Sequence, residues 1–291
     1  MKNLLILLLV TLSTSLYSQH KVGIRAGLNF SSFSGELEEN EDYGISSGFH
    51  FGINYTYLFN DNLSFRGEIS YIQRGANQSL QDTSGSVYYI INPLEVGVDN
   101  ILAFGEIDYQ IEITNAYLSI PITTHYRVNK FEFFGGASVD FLIGPRARGL
   151  VDFRSDELID EPFFFTQSLD YRYSSDVAGS FNDFVQDNIV ININGENLLL
   201  PRFAGAYYNF TTAQLNGQQR FKRIDSHLIF GLNYFINPGF YIGARGEFGL
   251  FDITNDEIDI SLRELDSNNE FILRTDTDRS ISLSVSVGFR F

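Results

Sequence analysis

The stretch Ile281-Ser-Leu-Ser-Val-Ser-Val-Gly-Phe-Arg-Phe291 alternates between apolar residues and small or polar residues without interruption. Successive side chains of a β-strand point to opposite faces, so this pattern predicts a strand with one apolar and one polar face. Serine, glycine and arginine supply the polar face, and the stretch ends on a phenylalanine. The fold therefore depends on how many such strands the chain contains and on which face points inward.

Seven further segments show the same alternation, which gives eight predicted strands. These segments cover residues 22–30, 49–57, 63–71, 118–128, 131–141, 228–234 and 242–250. The connections alternate between tight turns and long loops. The turns are residues 60–62, 129–130 and 237–239, and the long connections, called loops one to four, are residues 31–47, 75–115, 144–225 and 251–280.

Short turns on one side and long loops on the other are typical of outer-membrane barrels. We therefore predict an all-β fold, an eight-stranded antiparallel up-and-down transmembrane β-barrel with short periplasmic turns and long extracellular loops. The even number of strands puts both termini on the turn side. A ten-stranded barrel, in which part of loop three supplies two strands, is the structural alternative.

The composition of the two faces favours a membrane barrel over a soluble one. A soluble barrel needs a charged outer face, whereas the polar face here is mostly Ser, Gly, Asn and Thr, which suits a crowded interior. Aromatic residues lie toward both ends of the apolar face, as expected for the two aromatic girdles of a membrane-spanning wall. The apolar face is thus predicted to contact outer-membrane lipid.

The N-terminus has the layout of a secretory signal peptide. A basic residue, Lys2, precedes an apolar run at residues 4–10, and a small and polar stretch follows. The apolar run is too short to span a bilayer as a helix. Residues 1–18 are predicted to be the signal peptide, with cleavage after Ser15 as an alternative, and residues 19–291 are predicted to form the barrel and its loops.

The composition argues against several classes of protein. The 291 residues include 36 acidic and 20 basic side chains, for a net charge of −16, and they include no cysteine. Without cysteine the chain has no disulfide, zinc–thiolate site or thiol nucleophile. A nucleic-acid binder needs a basic face, so nucleic acid is not expected as a partner. No cofactor is predicted.

Charged side chains on the polar faces are predicted to meet inside the barrel. This lumenal set comprises Arg25, Arg66, Glu68, Arg74, Arg127, Glu132, Asp140, Arg245, Glu247 and Arg290. Eight strands enclose a space that side chains nearly fill, so the set is expected to plug the barrel. A narrow anion-preferring pore is the alternative function of the same residues.

Three histidines also fall on lumenal positions, with His50 and His227 at the loop end and His125 near the turn end. An enzyme active at the rim needs a base beside a nucleophile and an orienting carboxylate. The sequence places no such pair, because Ser226 and His227 are neighbours on a strand and point to opposite faces. The chain is therefore predicted not to be an enzyme.

Acidic residues are concentrated in the loops. Loops one and two contain five and six acidic residues and no basic one, and loop four contains nine acidic and three basic residues. Hard oxygen ligands suit Ca²⁺ or Mg²⁺, so residues 252–259 and 276–278 are the candidate places for weak binding of divalent cations, and a solvated acidic surface is the alternative. Neither cluster has the spacing of an EF-hand.

The loops also contain apolar segments that predict local structure. Residues 87–91 with 107–113, and residues 258–262 with 271–273, are predicted to form hairpins that extend the barrel strands. Loop three is rich in aromatic and aliphatic residues. It is expected to fold over the barrel mouth on a small core of its own or to meet an extracellular protein or glycan.

Four stretches carry a resemblance to a known family. They are residues 21–30 (KVGIRAGLNF), residues 116–122 (AYLSIPI), residues 134–138 (FGGAS) and the terminal Phe291. The chain resembles the Bacteroidota outer-membrane β-barrel family, often described as porin-like, which includes the PorT type. The resemblance covers the eight strands and none of the long loops. It implies an eight-stranded barrel and implies that Phe291 is the signal recognised by the barrel insertion machinery.

The sequence therefore predicts an outer-membrane protein with a non-enzymatic structural or surface-interaction role that the acidic extracellular loops perform. A narrow porin-like channel for small solutes is the alternative. An enzyme active at the barrel rim is the third hypothesis. PorT itself acts in protein secretion, and the long loop three departs from the compact members of the family.

Overall fold

The computed structural model describes residues 19–95, 97–155, 162–180, 188–193 and 195–291. The predicted signal peptide, residues 1–18, lies outside the described residues and stays a prediction. Within the described ranges the chain is almost entirely β-structure, and α1 (Thr212–Leu215) is a single helical turn. No helix in these ranges is long and apolar enough to span a membrane.

Fourteen strands are present in the described ranges. They are β1 (His20–Ser34), β2 (Glu41–Leu58), β3 (Leu63–Ile91), β4 (Ile101–Val128), β5 (Phe131–Ser155), β6 (Phe163–Arg172), β7 (Ile189–Ile193), β8 (Glu196–Leu200), β9 (Phe203–Ala204), β10 (Ile224–Phe235), β11 (Phe240–Gly249), β12 (Ile260–Leu265), β13 (Phe271–Leu273) and β14 (Arg279–Arg290).

Eight of these strands form a closed antiparallel ring. Its order is β1–β2–β3–β4–β5–β10–β11–β14, and the pairing of β14 with β1 closes the ring. β5 pairs with β10 through residues 131–141, with Ala137 opposite Leu228. Closure leaves no free sheet edge, which is the condition for a sheet in a membrane. The predicted all-β barrel is confirmed.

The apolar face points outward around the ring, as predicted. On β14, Val285 is 54% exposed whereas its neighbour Ser284 is 1% exposed. The same alternation of exposed apolar and buried polar residues occurs on β1, β2 and the lower halves of β4 and β5. Aromatic side chains lie on the outer surface toward the turns, where Phe131 packs on Tyr234, and toward the loops, where Phe49 and Phe51 pack on Tyr71.

Strands β3, β4 and β5 continue well beyond the ring. The β3–β4 hairpin occupies most of loop two, and the upper part of β5 pairs with β6 from loop three. The predicted partner of residues 87–91 was wrong, because these residues pair with residues 101–105, while residues 107–113 pair with residues 76–82. The irregular stretch between Asp82 and Val87 shifts the register, and the sequence pattern did not indicate it.

The described part of the third loop lies outside the ring, so the ten-stranded alternative does not describe this structure. β6 pairs with β5 only above the ring, through Arg146–Ser155 opposite Phe163–Arg172 in antiparallel order. β9 pairs with β6, and the β7–β8 hairpin forms a separate sheet. We call the loop structure above the ring the cap; it consists of residues 76–113, the described part of 142–223, and 250–278.

The cap has a hydrophobic core of its own. Tyr89, Phe153 and Phe165 form a triangle of ring contacts with centroids 5.5–5.7 Å apart. The core contains side chains from loops two, three and four, among them Leu80, Val87, Leu169, Leu200, Tyr207 and Ile258. The β7–β8 hairpin contacts the tip of loop two through the Leu94 N–H, which donates to the Leu199 carbonyl at 2.8 Å. The expectation that loop three covers the mouth agrees with this arrangement.

We predict that Phe165→Ala loosens the cap and leaves the ring intact. Phe165 is 2% exposed, and its truncation removes a core contact worth about 3–5 kcal/mol. Hydrogen exchange should accelerate across the cap strands while the ring strands stay protected. Phe164, its neighbour on β6, is 62% exposed, so Phe164→Ala is the matched control and should change neither region. Equal exchange in the two variants contradicts the assignment of a cap core.

Candidate functional site

The upper part of the lumen contains a buried group of ion pairs centred on Arg74. Its guanidinium lies 2.6 Å from Glu247 Oε2 and 3.0 Å from Asp140 Oδ2, which come from β11 and β5. His227 Nδ1 lies 2.6 Å from the same Asp140 oxygen. Arg74, Asp140 and Glu247 are all essentially inaccessible to solvent. These contacts connect strands β3, β5 and β11 across the lumen.

Two further arginines extend this group toward β1. Arg25 donates to Glu68 Oε1 at 2.8 Å, and Arg245 pairs with Glu247 and lies 4.0 Å from Glu68. The Ser282 hydroxyl donates to Glu247 at 3.0 Å, so a serine of the sequence stretch that defined the fold takes part in the network. A charge-assisted hydrogen bond between buried partners is among the stronger polar contacts in a protein.

A second group of ion pairs lies nearer the turns and is centred on Glu132. Arg66 contacts it at 3.1 Å, His125 at 2.9 Å and Arg290 at 3.5 Å, and Asn233 donates to it at 2.9 Å. Below this group the rings of Phe235 and Tyr241 pack at 5.1 Å and are 1% exposed each. The guanidinium of Arg290 lies 4.7 Å above the Phe235 ring. Aromatic and ionic contacts therefore close the turn end of the lumen together.

Arg127 was predicted to belong to the lumenal network and is placed elsewhere. It is half-buried near the turn end, its Nε donates to the Asn129 carbonyl at 3.1 Å, and its guanidinium lies 3.9 Å from the centre of the Phe235 ring. The side chain comes from the last residues of β4, where it covers the aromatic pair instead of reaching Glu132. The other predicted members, Arg25, Arg66, Glu68, Arg74, Glu132, Asp140, Arg245, Glu247 and Arg290, all take part in lumenal ion pairs.

The three histidines contact different partners, as their positions predicted. His50 Nδ1 lies 2.7 Å from Asn29 Oδ1, whereas His227 and His125 contact Asp140 and Glu132. Sequence reasoning missed that Thr123 Oγ1 lies 2.8 Å from His125 Nε2, which gives a hydroxyl–imidazole–carboxylate chain. The spacing of Thr123 and His125, two residues apart on one strand face, was the available signal.

The surroundings of Thr123, His125 and Glu132 are those of a structural contact. Thr123 and His125 are 6% and 1% exposed, and Glu132 is shared with Arg66 and Asn233. A nucleophile must be within reach of a substrate. The Thr123–His125–Glu132 contacts belong to the group of ion pairs nearer the turns, above the Phe235–Tyr241 pair.

The terminal residue, Phe291, follows the last strand of the ring at the turn side of the barrel. The Phe291 N–H donates to the Val22 carbonyl at 2.8 Å, its ring packs on Phe289 with centroids 5.0 Å apart, and 65% of it is exposed. An exposed aromatic at the strand end is accessible to another protein. Its role as the signal for barrel insertion stays a prediction.

We predict that Arg74→Ala destabilises the barrel strongly. The substitution removes the guanidinium that Glu247 and Asp140 share and leaves them only Arg245 and His227 as charged or imidazole partners. Breaking a buried ion pair in this way costs about 3–5 kcal/mol. Urea unfolding of the refolded protein in detergent micelles, followed by its heat-modifiable gel mobility, measures the change. Arg127→Ala removes an equal charge outside the network and should cost about 1 kcal/mol or less. Equal losses in the two variants would show that the lumenal pairs do not stabilise the ring.

Comparisons with known proteins agree with this geometry. The chain matches the family described as "Outer membrane protein beta-barrel domain" over residues 17–255. The search of curated proteins found no match.

Among solved structures, the chain is similar to Ail, the attachment invasion locus protein of Yersinia pestis, with 13% identity, a TM-score of 0.34 and coverage of 94% of this chain and 99% of that one. It is similar to Neisserial surface protein A, with 12% identity, a TM-score of 0.37 and coverage of 93% and 97%. It is also similar to OprG from Pseudomonas aeruginosa, with 10% identity, a TM-score of 0.34 and coverage of 94% and 96%.

These structural similarities are distant, so the family match over residues 17–255 carries the identification. It agrees with the closed ring and with the apolar face that surrounds it. The protein is located in the outer membrane, and the chain belongs to the outer membrane protein β-barrel family.

Proposed function

We propose that the protein is a non-enzymatic outer-membrane barrel that presents its cap to the outside medium as a rigid surface for a macromolecular partner. One observation carries this proposal: the lumen is filled by the Arg74–Glu247–Asp140 ion pairs, and a cap with its own hydrophobic core lies above them. A barrel built this way supports a loop surface better than it supports solute passage.

The charge of loops one, two and four indicates the chemistry of the partner. Acidic side chains are exposed on these loops, namely Glu36, Glu39, Asp42, Glu95, Asp99, Glu106, Glu112, Asp256, Glu257, Glu264 and Glu270. The described part of loop three also exposes basic side chains, among them Arg146, Arg148 and Arg172. Complementary charge steers association and selects partners. A protein with a basic surface fits the acidic surface of loops one, two and four better than a neutral glycan does, so a basic protein is the proposed partner.

The lumenal contacts argue against a catalytic role. The Thr123–His125–Glu132 chain is enclosed, and the imidazole–carboxylate pair of His227 and Asp140 is bound to Arg74. Neither group is exposed to the outside medium, as the site of a rim-active enzyme has to be. Assignment to the Bacteroidota PorT-type branch stays a prediction from the sequence resemblance.

Site-specific photocrosslinking on intact cells of the source organism tests the proposal. A photoreactive amino acid at Glu95 or Asp256, both exposed on the cap, should give a discrete adduct with another protein. The same residue at Asp61, exposed on a periplasmic turn, is the matched control. The adduct should disappear when the exposed acids of loops two and four are replaced by amides. Absence of an adduct from every cap position contradicts the interaction role.

The channel alternative makes the opposite prediction for conductance. We expect purified protein in planar bilayers to show no discrete conductance steps, because Arg74, Arg245 and their carboxylate partners occupy the lumen. Replacing residues 144–222 by a short Gly-Ser linker removes loop three and joins β5 to β10 near Phe141 and Ile224, which are opposite each other in the ring. This variant should also show no discrete conductance steps. Discrete steps in the intact protein favour the channel.

A further inference from the structure

Three aspartates from loop four meet at the base of the cap. Asp259 directly precedes β12, Asp278 directly precedes β14, and Asp276 lies two residues before Asp278. One carboxylate oxygen from each lies within 4.8 Å of the others. The sequence placed these residues in two separate acidic clusters, and the fold of loop four brings them together.

Asp278 is a buried carboxylate without a partner for its oxygens. It is 0% exposed, and neither of its carboxylate oxygens has a hydrogen-bond partner in the described part of the chain. Asp259 is 1% exposed, and its oxygens also lack hydrogen bonds there, although Arg220 lies 3.2 Å from Oδ1. Buried charged oxygens are normally paired or bound to metal, so this arrangement favours the binding of a cation.

The surrounding charges leave a deficit that a divalent ion would balance. Arg220 faces Asp259, and Arg274 faces Asp276 at 2.5 Å and Glu41 at 3.0 Å. Four carboxylates therefore meet two guanidinium groups, with an excess of two negative charges. The adjacent pair of Lys222 and Asp252 is neutral and does not change the excess.

We propose that Asp259, Asp276 and Asp278 form a Ca²⁺ site that fixes loop four to the cap. Ca²⁺ accepts oxygen ligands at about 2.3–2.6 Å, so two ligands of one ion can be up to about 5 Å apart. Oxygens within 4.8 Å of one another meet this condition. Mg²⁺ needs ligands at about 2.0–2.1 Å in an octahedron and would require the three carboxylates to move closer together.

The backbone around the cluster shows what the ion would hold together. The Ile253 N–H donates to the Asp278 carbonyl, and the Arg274 N–H donates to the Asp259 carbonyl, so the two ends of loop four are already joined. Glu41 belongs to β2 and Arg220 to loop three. A cation at the aspartates would reinforce the contact of three loops. The site is independent of the proposed partner, because its role is to hold the cap in place.

Calorimetric titration of the refolded protein in detergent micelles with CaCl₂, after treatment with a chelator, tests the site. Wild-type protein should bind Ca²⁺ with a dissociation constant in the range of extracellular sites, about 0.1–1 mM. Asp278→Asn should lose the binding heat. Asp256→Asn removes the same charge from an exposed position of the same loop and should keep the heat. MgCl₂ should give a weaker signal than CaCl₂.

Hydrogen exchange supplies a readout that does not depend on the binding heat. Addition of Ca²⁺ should slow hydrogen exchange at residues 251–280 in wild type and in Asp256→Asn. It should leave the exchange rate of the same residues unchanged in Asp278→Asn. Heat-modifiable gel mobility checks that each variant has folded. If Asp278→Asn fails to fold, Asp276→Asn takes its place with the same expectation. No binding in wild type, or equal binding in the Asp278 and Asp256 variants, overturns the site, and equal binding of Mg²⁺ overturns the choice of Ca²⁺.

Discussion

Closure of the sheet is the constraint on which the rest of the structure depends. No water reaches the backbone in the hydrocarbon layer, so every strand needs a paired neighbour on both sides. The ring meets this condition at two contacts between distant parts of the chain, β14 with β1 and β5 with β10. The second contact joins strands separated by the whole of loop three. That loop must therefore leave the wall after β5 and fold above it.

A ring of eight strands is narrow, and the narrow lumen determines its content. Polar side chains that face inward meet one another and not bulk water, so arginines and carboxylates have to pair. Arg74 contacts partners from two strands on the far side, and Glu132 collects contacts from four side chains. The apolar residues of the loops cannot enter this polar space. They bury their surface in a second core, the cap, on top of the ring.

The alternation of residues such as Val285 and Ser284 was enough to predict the strands, their faces and the membrane environment, because it is a local signal with a period of two. Contacts within the lumen depend on register and on distant partners: Arg74 and Glu247 are 173 residues apart. The sequence could therefore give the membership of the network but not its pairs. Arg127 lies on the Phe235 ring instead of beside a carboxylate, because a side chain at a strand end can turn onto a nearby ring. The packing of the cap could not be predicted from local patterns for the same reason, because its core combines short segments of three loops.

Engineered disulfides in this cysteine-free chain test the central claim, that β5 and β10 are neighbours and that loop three lies outside the ring. Ala137 and Leu228 are directly opposite, at a spacing that a disulfide can bridge. The double variant Ala137→Cys/Leu228→Cys should form the bond on oxidation in the folded barrel. Ala137→Cys/Phe248→Cys should not, because Phe248 is opposite Leu228 on the next strand, β11, and is therefore one strand further from Ala137. A free thiol pair in the first variant, with the barrel folded, contradicts the eight-stranded ring and favours additional strands between β5 and β10.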